Sequence, residues 1–114
     1  MSKVNGKKVF LSGPMSGLPH YNVAAFAEAH AVMVEHGAFK VYNPAIAYLQ
    51  SCETHTHEYW MRECIRELTS DYPYYDVLVS LPGWQNSEGA KTERMVATAC
   101  GIKCVGLSEI ADGK

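Results

Sequence analysis

Short apolar runs and amphipathic stretches alternate along these 114 residues. Alternation of that kind predicts an α/β domain whose mostly parallel sheet has about 4–5 strands. Two observations anchor the prediction. Val77–Leu81 is a continuous apolar run with the length and β-branched content of a buried strand, and Pro82-Gly83 breaks it. Directly afterwards, Asn86-Ser87 offers N-cap residues for a helix over Glu88–Cys100, which Gly101 stops. With neither repeat nor linker, the chain reads as one domain over residues 1–114 with an ordered core at about 8–107. The expected architecture is a flavodoxin/Rossmann-like three-layer sandwich with right-handed crossovers.

Hydrophobic residues at 47% and charged residues at 19% are enough for one core and typical of a globular chain. A net charge of −2, with no basic cluster beyond Lys7-Lys8, argues against a nucleic acid polymer as partner. Small anions stay open, because helix N-termini bind phosphate without a basic surface. No apolar run approaches the ~20 residues of a membrane span. The four cysteines, Cys52, Cys64, Cys100 and Cys104, form no CxxC pair. The expectation is a soluble protein in a reducing cytoplasm. Cys100 and Cys104 flank a helix-to-strand turn and read as small core residues. A zinc site joining the cysteines to His55 and His57 matches no standard ligand spacing, so neither metal nor cofactor is expected.

In chain order, Met1–Lys7 is polar and expected to fray. Lys8–Ser12 reads as the first strand, followed at once by the loop Gly13-Pro14-Met15-Ser16-Gly17-Leu18-Pro19. A glycine-bounded loop there suits the phosphate or ribose cradle of a nucleotide fold. It suits a plain turn as well, being neither GxGxxG nor a P-loop. Asn22 is the expected cap of a helix running to His36, with Phe26, His30 and Met33 on one face and Gly37 ending it. His30 in that stripe reads as a satisfied core histidine. Phe39–Asn43 is the expected second strand, closed by Pro44, so Asn43 lies at a carboxyl end beside the first loop. Ala45–His57, rich in Thr and His, reads as a surface loop in preference to a lid. Glu58–Ser70 is the expected helix with Met61, Cys64, Ile65 and Leu68 inward. Asp71–Asp76 leads into the central strand, and Lys103–Leu107 is the last strand before a polar tail.

Within the helix after the central strand, Glu93, Val96, Ala97 and Cys100 share one face. A carboxylate heading an apolar stripe is unusual, since ionised Glu is rarely buried unpartnered. Helical side chains lean toward the N-terminus, so Glu93 is aimed at the Gly83–Gly89 loop. In an open parallel sheet that loop lies at the carboxyl ends of the strands, where ligands bind. The alternative is a Glu that snorkels or pairs with a nearby Lys or Arg.

Three stretches carry a resemblance: Leu11-Ser12-Gly13-Pro14-Met15-Ser16-Gly17, Tyr42-Asn43-Pro44, and Leu81-Pro82-Gly83-Trp84-Gln85-Asn86-Ser87-Glu88-Gly89-Ala90-Lys91-Thr92-Glu93. Together they resemble a small, often phage-encoded family related to the nucleoside 2-deoxyribosyltransferases and the 2′-deoxynucleoside 5′-phosphate N-hydrolases. The resemblance implies that Glu93 is the nucleophile attacking the anomeric carbon of a deoxynucleoside or its monophosphate. The base is expelled, and water or a second base resolves the glycosyl ester. Ser12, Gly13, Pro14, Met15, Ser16 and Gly17, with Asn43, would hold sugar and phosphate. Ser87 and Gly89 would add amide donors at the helix N-terminus, and Trp84 could stack on a base. Oxocarbenium chemistry independently asks for a carboxylate and a proton donor for the leaving base.

The sequence departs from that pattern at one place. Relatives commonly carry an aspartate, a candidate acid, where Cys64 stands here. The acid is therefore left among Cys64, Glu63, Glu67 and Asp76. Two readings follow: an N-glycosidase or deoxyribosyltransferase acting on a small nucleoside or nucleotide, and a non-catalytic nucleotide-binding module. A thiol enzyme centred on Cys64 lacks a histidine placed by sequence to activate it. Tyr48, Tyr72, Tyr74 and Tyr75 are expected to crowd the active edge, which, with the resemblance, predicts a homo-oligomer.

Overall fold

In the computed structural model, residues 3–15, 17–50 and 55–111 are described. Among them the chain forms β1 (Lys8–Ser12), α1 (Val23–Glu35), β2 (Lys40–Tyr42), α2 (Pro44–Gln50), α3 (His57–Leu68), β3 (Val77–Ser80), α4 (Glu88–Ala99), β4 (Lys103–Gly106) and α5 (Leu107–Ala111). The strands make a parallel four-stranded sheet in the order β2-β1-β3-β4. That is the start of the doubly wound order in which ligands bind where the loops after the first and third strands diverge. The fold is the expected α/β sandwich, with an all-parallel sheet.

Period-two alternation sorts the two central strands between two cores. Val9 and Leu11 with Val77 and Val79 face one way, onto Phe26, Ala29 and Met33 of α1 and Ile110 of α5. Phe10 and Leu78 face the other way, onto Cys64 and Leu68 of α3 and Ala97 of α4. β1 and β3 are buried along their whole length, as strands covered by helices on both faces must be. The same alternation turns the last residues, Ser12 and Ser80, toward α3 and α4. They are partners in the sheet register.

Four expectations need correction. The N-terminal segment is fastened down: Val4 is 0% exposed in the α1-side core, and Lys3 pairs with Glu109 of α5 at 3.0 Å. A single valine in a polar stretch gives no periodicity to detect. Asn22 does not cap α1; its backbone is left-handed (φ 63°) and its side chain donates to the Pro14 carbonyl at 3.0 Å. Ala45 does not begin a loop. Pro44 occupies the first turn of α2, and the Asn43 side chain accepts from Ala45 N–H at 2.9 Å as its cap; Ser51–Thr54, with Cys52, lie outside the described residues. The tail after β4 is not simply polar either, because Leu107 opens α5 and Ile110 is buried. No helix among the described residues is long and apolar enough to cross a membrane.

Val4→Ala checks that the first residues belong to the core. Truncating a fully buried valine should lower unfolding free energy by about 1–3 kcal/mol in urea titration; a change below about 0.5 kcal/mol would mean the segment is only loosely attached.

Candidate active site at the carboxyl edge of the sheet

The site begins with two serines and two consecutive residues of α4. Ser12 Oγ donates to Glu93 Oε1 at 2.5 Å, and Arg94 Nη1 donates to Ser80 Oγ at 2.8 Å. Because Ser12 and Ser80 stand side by side at the ends of β1 and β3, α4 is fixed over the sheet by paired polar contacts. Ser87 caps α4, its Oγ accepting from Ala90 N–H at 3.1 Å. Gly89 lets α3 approach closely, since a Cβ there would lie 3.0 Å from Met61 Sδ. Gly13 serves the same purpose one loop away: a Cβ would lie 2.7 Å from Leu81 Cβ.

A cleft of about 500 Å³ opens above this edge between the loop after β1, the start of α3 and the start of α4. Glu93 and Cys64 both reach it from below. Glu93 is only 7% exposed, and burial raises its carboxyl to about 7, against hydrogen bonds from Ser12 and Cys64 that pull it down. Burial and the neighbouring Glu93 push the Cys64 thiol up, so it stays neutral and donates. The Tyr42 hydroxyl stands within hydrogen-bonding reach of Cys64 and is itself pushed up by burial. The result is a buried carboxylate served by two neutral donors, with a phenol behind one of them.

The structure brings together Gly13, Pro14, Met15, Ser87, Gly89, Cys64 and Glu93 in the cleft wall, with Ser12 bonded beneath. Ser16 lies outside the described residues, and the exposed Gly17 does not line the cleft. Asn43 is buried and fully occupied, capping α2 while its amide contacts Phe26 O and His30 Nδ1. It supports the edge without facing the cleft, and His30 is satisfied as expected. Trp84 does not line the cleft either; the Arg94 guanidinium lies 4.1 Å from its ring centre.

The alternative acids fall elsewhere. Asp76 precedes β3 at the opposite end of the sheet, where Lys8 N–H donates to it at 2.8 Å. Glu67 accepts from Tyr75 Oη at 2.6 Å, and Glu63 pairs with Arg66; both line a separate cavity beyond Trp60. Tyr72, Tyr74 and Tyr75 likewise gather at the amino end before β3, not at the active edge, with Tyr75 buried against Phe10. Cys100 is exposed, contrary to its expected place in the core, and Cys104 is half-buried. Among the described residues no group of three His, Cys, Asp or Glu side chains could hold a metal ion.

Sequence reasoning missed His57, Trp60 and Met61 in the wall, and Ser80 with Arg94 beneath it. A usable signal existed. A crossover helix starts at the carboxyl edge of the sheet, so the first turns of α3 had to meet the loops.

A family model described as a domain of unknown function (DUF4406) matches residues 7–106. A search of curated proteins finds no match.

The raised Glu93 carboxyl links pH to stability. The fold favours its protonated form, so this contribution is full below the unfolded value of 4.5 and is lost as pH rises through about 7. The loss should amount to about 3 kcal/mol. Wild-type Tm should therefore fall between pH 5 and 8, and Glu93→Gln should flatten that fall. Parallel curves for the two proteins would show that Glu93 ionises as easily folded as unfolded.

Proposed function

The chain belongs to the DUF4406 family, and we propose that it is an N-glycosidase or deoxyribosyltransferase cleaving the base–sugar bond of a nucleoside or its 5′-monophosphate. The observation that carries this reading is the Glu93 carboxylate, buried at the base of a ligand-sized cleft yet open to it and oriented by Ser12 and Cys64. Ionised Glu93 attacks C1′; the new C1′–O bond forms as the C1′–N bond breaks, and the base leaves with that electron pair and takes up a proton. Water or a second base then attacks C1′, the ester breaks, and the carboxylate is restored. A fixed, partly desolvated carboxylate suits the first step because no solvent shell has to be removed at the moment of attack.

The leaving base needs a proton, and besides Glu93 and Glu88, whose carboxyl Lys91 keeps ionised, the cleft wall holds Cys64 and His57. The Cys64 thiol is a weak acid here, since burial and Glu93 both hold its proton on. That observation favours a second reading, a non-catalytic nucleotide-binding module that keeps the cleft. Chromatography of deoxynucleosides and their monophosphates after incubation, watched for free base, separates the two.

Base release should rise about tenfold per pH unit below pH 7 and level off above it, as Glu93 gives up its proton near 7. Glu93→Gln should abolish release with the far-UV spectrum unchanged; unaltered turnover in the variant removes Glu93 from the mechanism.

Cys64→Asp should raise release by about 10²-fold or more. Two carboxyls within hydrogen-bonding reach share one proton near neutrality, leaving one ionised to attack and one protonated to donate. The exchange risks about 1–3 kcal/mol of stability, which melting curves follow in parallel. A folded variant no faster than wild type would show that position 64 does not reach the base.

A further inference from the structure

Resting on the reading of the Glu93 cleft as a nucleoside site, we infer that it takes an uncharged nucleoside with its base on Trp60, in preference to a 5′-monophosphate. The first observation is the charge of the wall. Among the described residues lining the cleft there is no lysine or arginine, while Glu88 and Glu93 both contribute carboxyls. Arg94, the cation nearest the sheet edge, is turned beneath the wall, bonded to Ser80 and laid on Trp84. Lys91 is held by Glu88 at 2.7 Å and is not part of the lining. Arg62 and Arg66 line a different groove, between α3 and α4.

The start of α4 does not make up for this. One of its first amides, that of Ala90, is already taken by Ser87 Oγ, and Glu88 places a carboxylate in the same turn. The Lys91 hydrogen bond and charge lower the Glu88 carboxyl, which is ionised at neutral pH and paired with that lysine. A phosphate dianion would thus enter a half-enclosed space whose described lining offers it no fixed cation, and burying an unpaired charge is strongly unfavourable. A sugar hydroxyl meets no such penalty.

The second observation is where an aromatic face is offered. Trp60 lines the cleft, as do the apolar Met15, Leu18 and Met61. Its ring forms T-shaped pairs with Tyr48 at 6.5 Å, Tyr59 at 5.0 Å and His55 at 5.4 Å between centroids. Such pairs fix the indole where it lines the cleft. Trp84, the tryptophan closer in sequence to Glu93, has the Arg94 guanidinium over its ring and stands outside the lining. Trp60 is thus the aromatic group the wall offers a base, and Glu93 lines the same cleft.

The test is fluorescence titration of Trp84→Phe, in which Trp60 is the remaining one of the chain's two tryptophans and Glu93 is kept, read at mixing times too short for base release. The ligands are the four 2′-deoxynucleosides and their 5′-monophosphates. At least one deoxynucleoside should quench Trp60 and bind about tenfold or more tighter than its monophosphate. Adding Trp60→Ala should weaken that nucleoside by about 5- to 150-fold, and Trp60→Phe should restore most of the affinity, both followed by calorimetry. Monophosphate binding as tight as nucleoside binding overturns the inference. So does a folded Trp60→Ala variant of unchanged affinity, or no binding of any ligand to the folded protein. Nucleoside binding as described, in a wild type that releases no base, would remove the glycosidase reading and leave this inference standing.

Discussion

A carboxylate out of water at the end of a parallel sheet needs partners, and the way this fold supplies them fixes much else. Glu93 has Ser12 from β1 and Cys64 from α3, two short neutral donors on two different elements. Each hydrogen bond draws its element toward α4, so the charge lies at the junction of sheet and both helices of that layer. The partners offset the burial only in part, which is why the carboxyl stays raised. Arg94, the next residue, is bound by Ser80. Two adjacent helical residues of opposite charge are thus held by two adjacent strand ends, and rotating α4 by one residue would forfeit both contacts.

Close packing around that junction depends on missing side chains. Gly13 and Gly89 stand where a Cβ would press on Leu81 and on Met61. At Gly83 the reason is different: its φ of 88° is left-handed, and the turn brings the loop after β3 to Pro14 in the loop after β1. The two loops that wall the cleft therefore rest on each other, and the cleft keeps its shape through backbone packing more than through long side chains.

How much of this was legible in the sequence follows from what kind of signal each part gives. β1, β3, α3 and α4 are continuous or periodic apolar patterns, and they stand within a residue or two of their expected bounds. Glu93 was legible because a charge on an apolar helix face breaks the pattern. The corrected parts depend on single residues whose meaning is set at long range. Val4 and Ile110 are core residues in polar surroundings, and Tyr72 to Tyr75 are grouped in sequence but sit at the far edge of the sheet. Asn43 was placed correctly at a strand end, yet its amide serves α2 and α1, a three-way arrangement no local motif encodes. Trp84 was the reasonable stacking partner on proximity alone; the Ser80–Arg94 contact that brings a guanidinium over it depends on how α4 packs on the end of β3.

The cleft's other rim follows the same logic of local cost offset by distant contact. His20, Tyr21 and Asn22 all have positive φ, at 49°, 51° and 63°, and a left-handed conformation costs a non-glycine residue roughly 1–2 kcal/mol. Three such residues in a row are kept only where surrounding contacts over-determine them. Those contacts are present: Tyr21 sets its ring 4.3 Å from that of Tyr48 on α2, and Asn22 donates to Pro14 O. Tyr48 in turn meets Trp60. The strained turn is therefore tied at one end to the loop that carries Gly13, Pro14 and Met15, and at the other to the aromatic group that holds Trp60. Relaxing it into an ordinary right-handed turn would release both walls of the cleft together, and so the strain sits beside the site and nowhere else among the described residues.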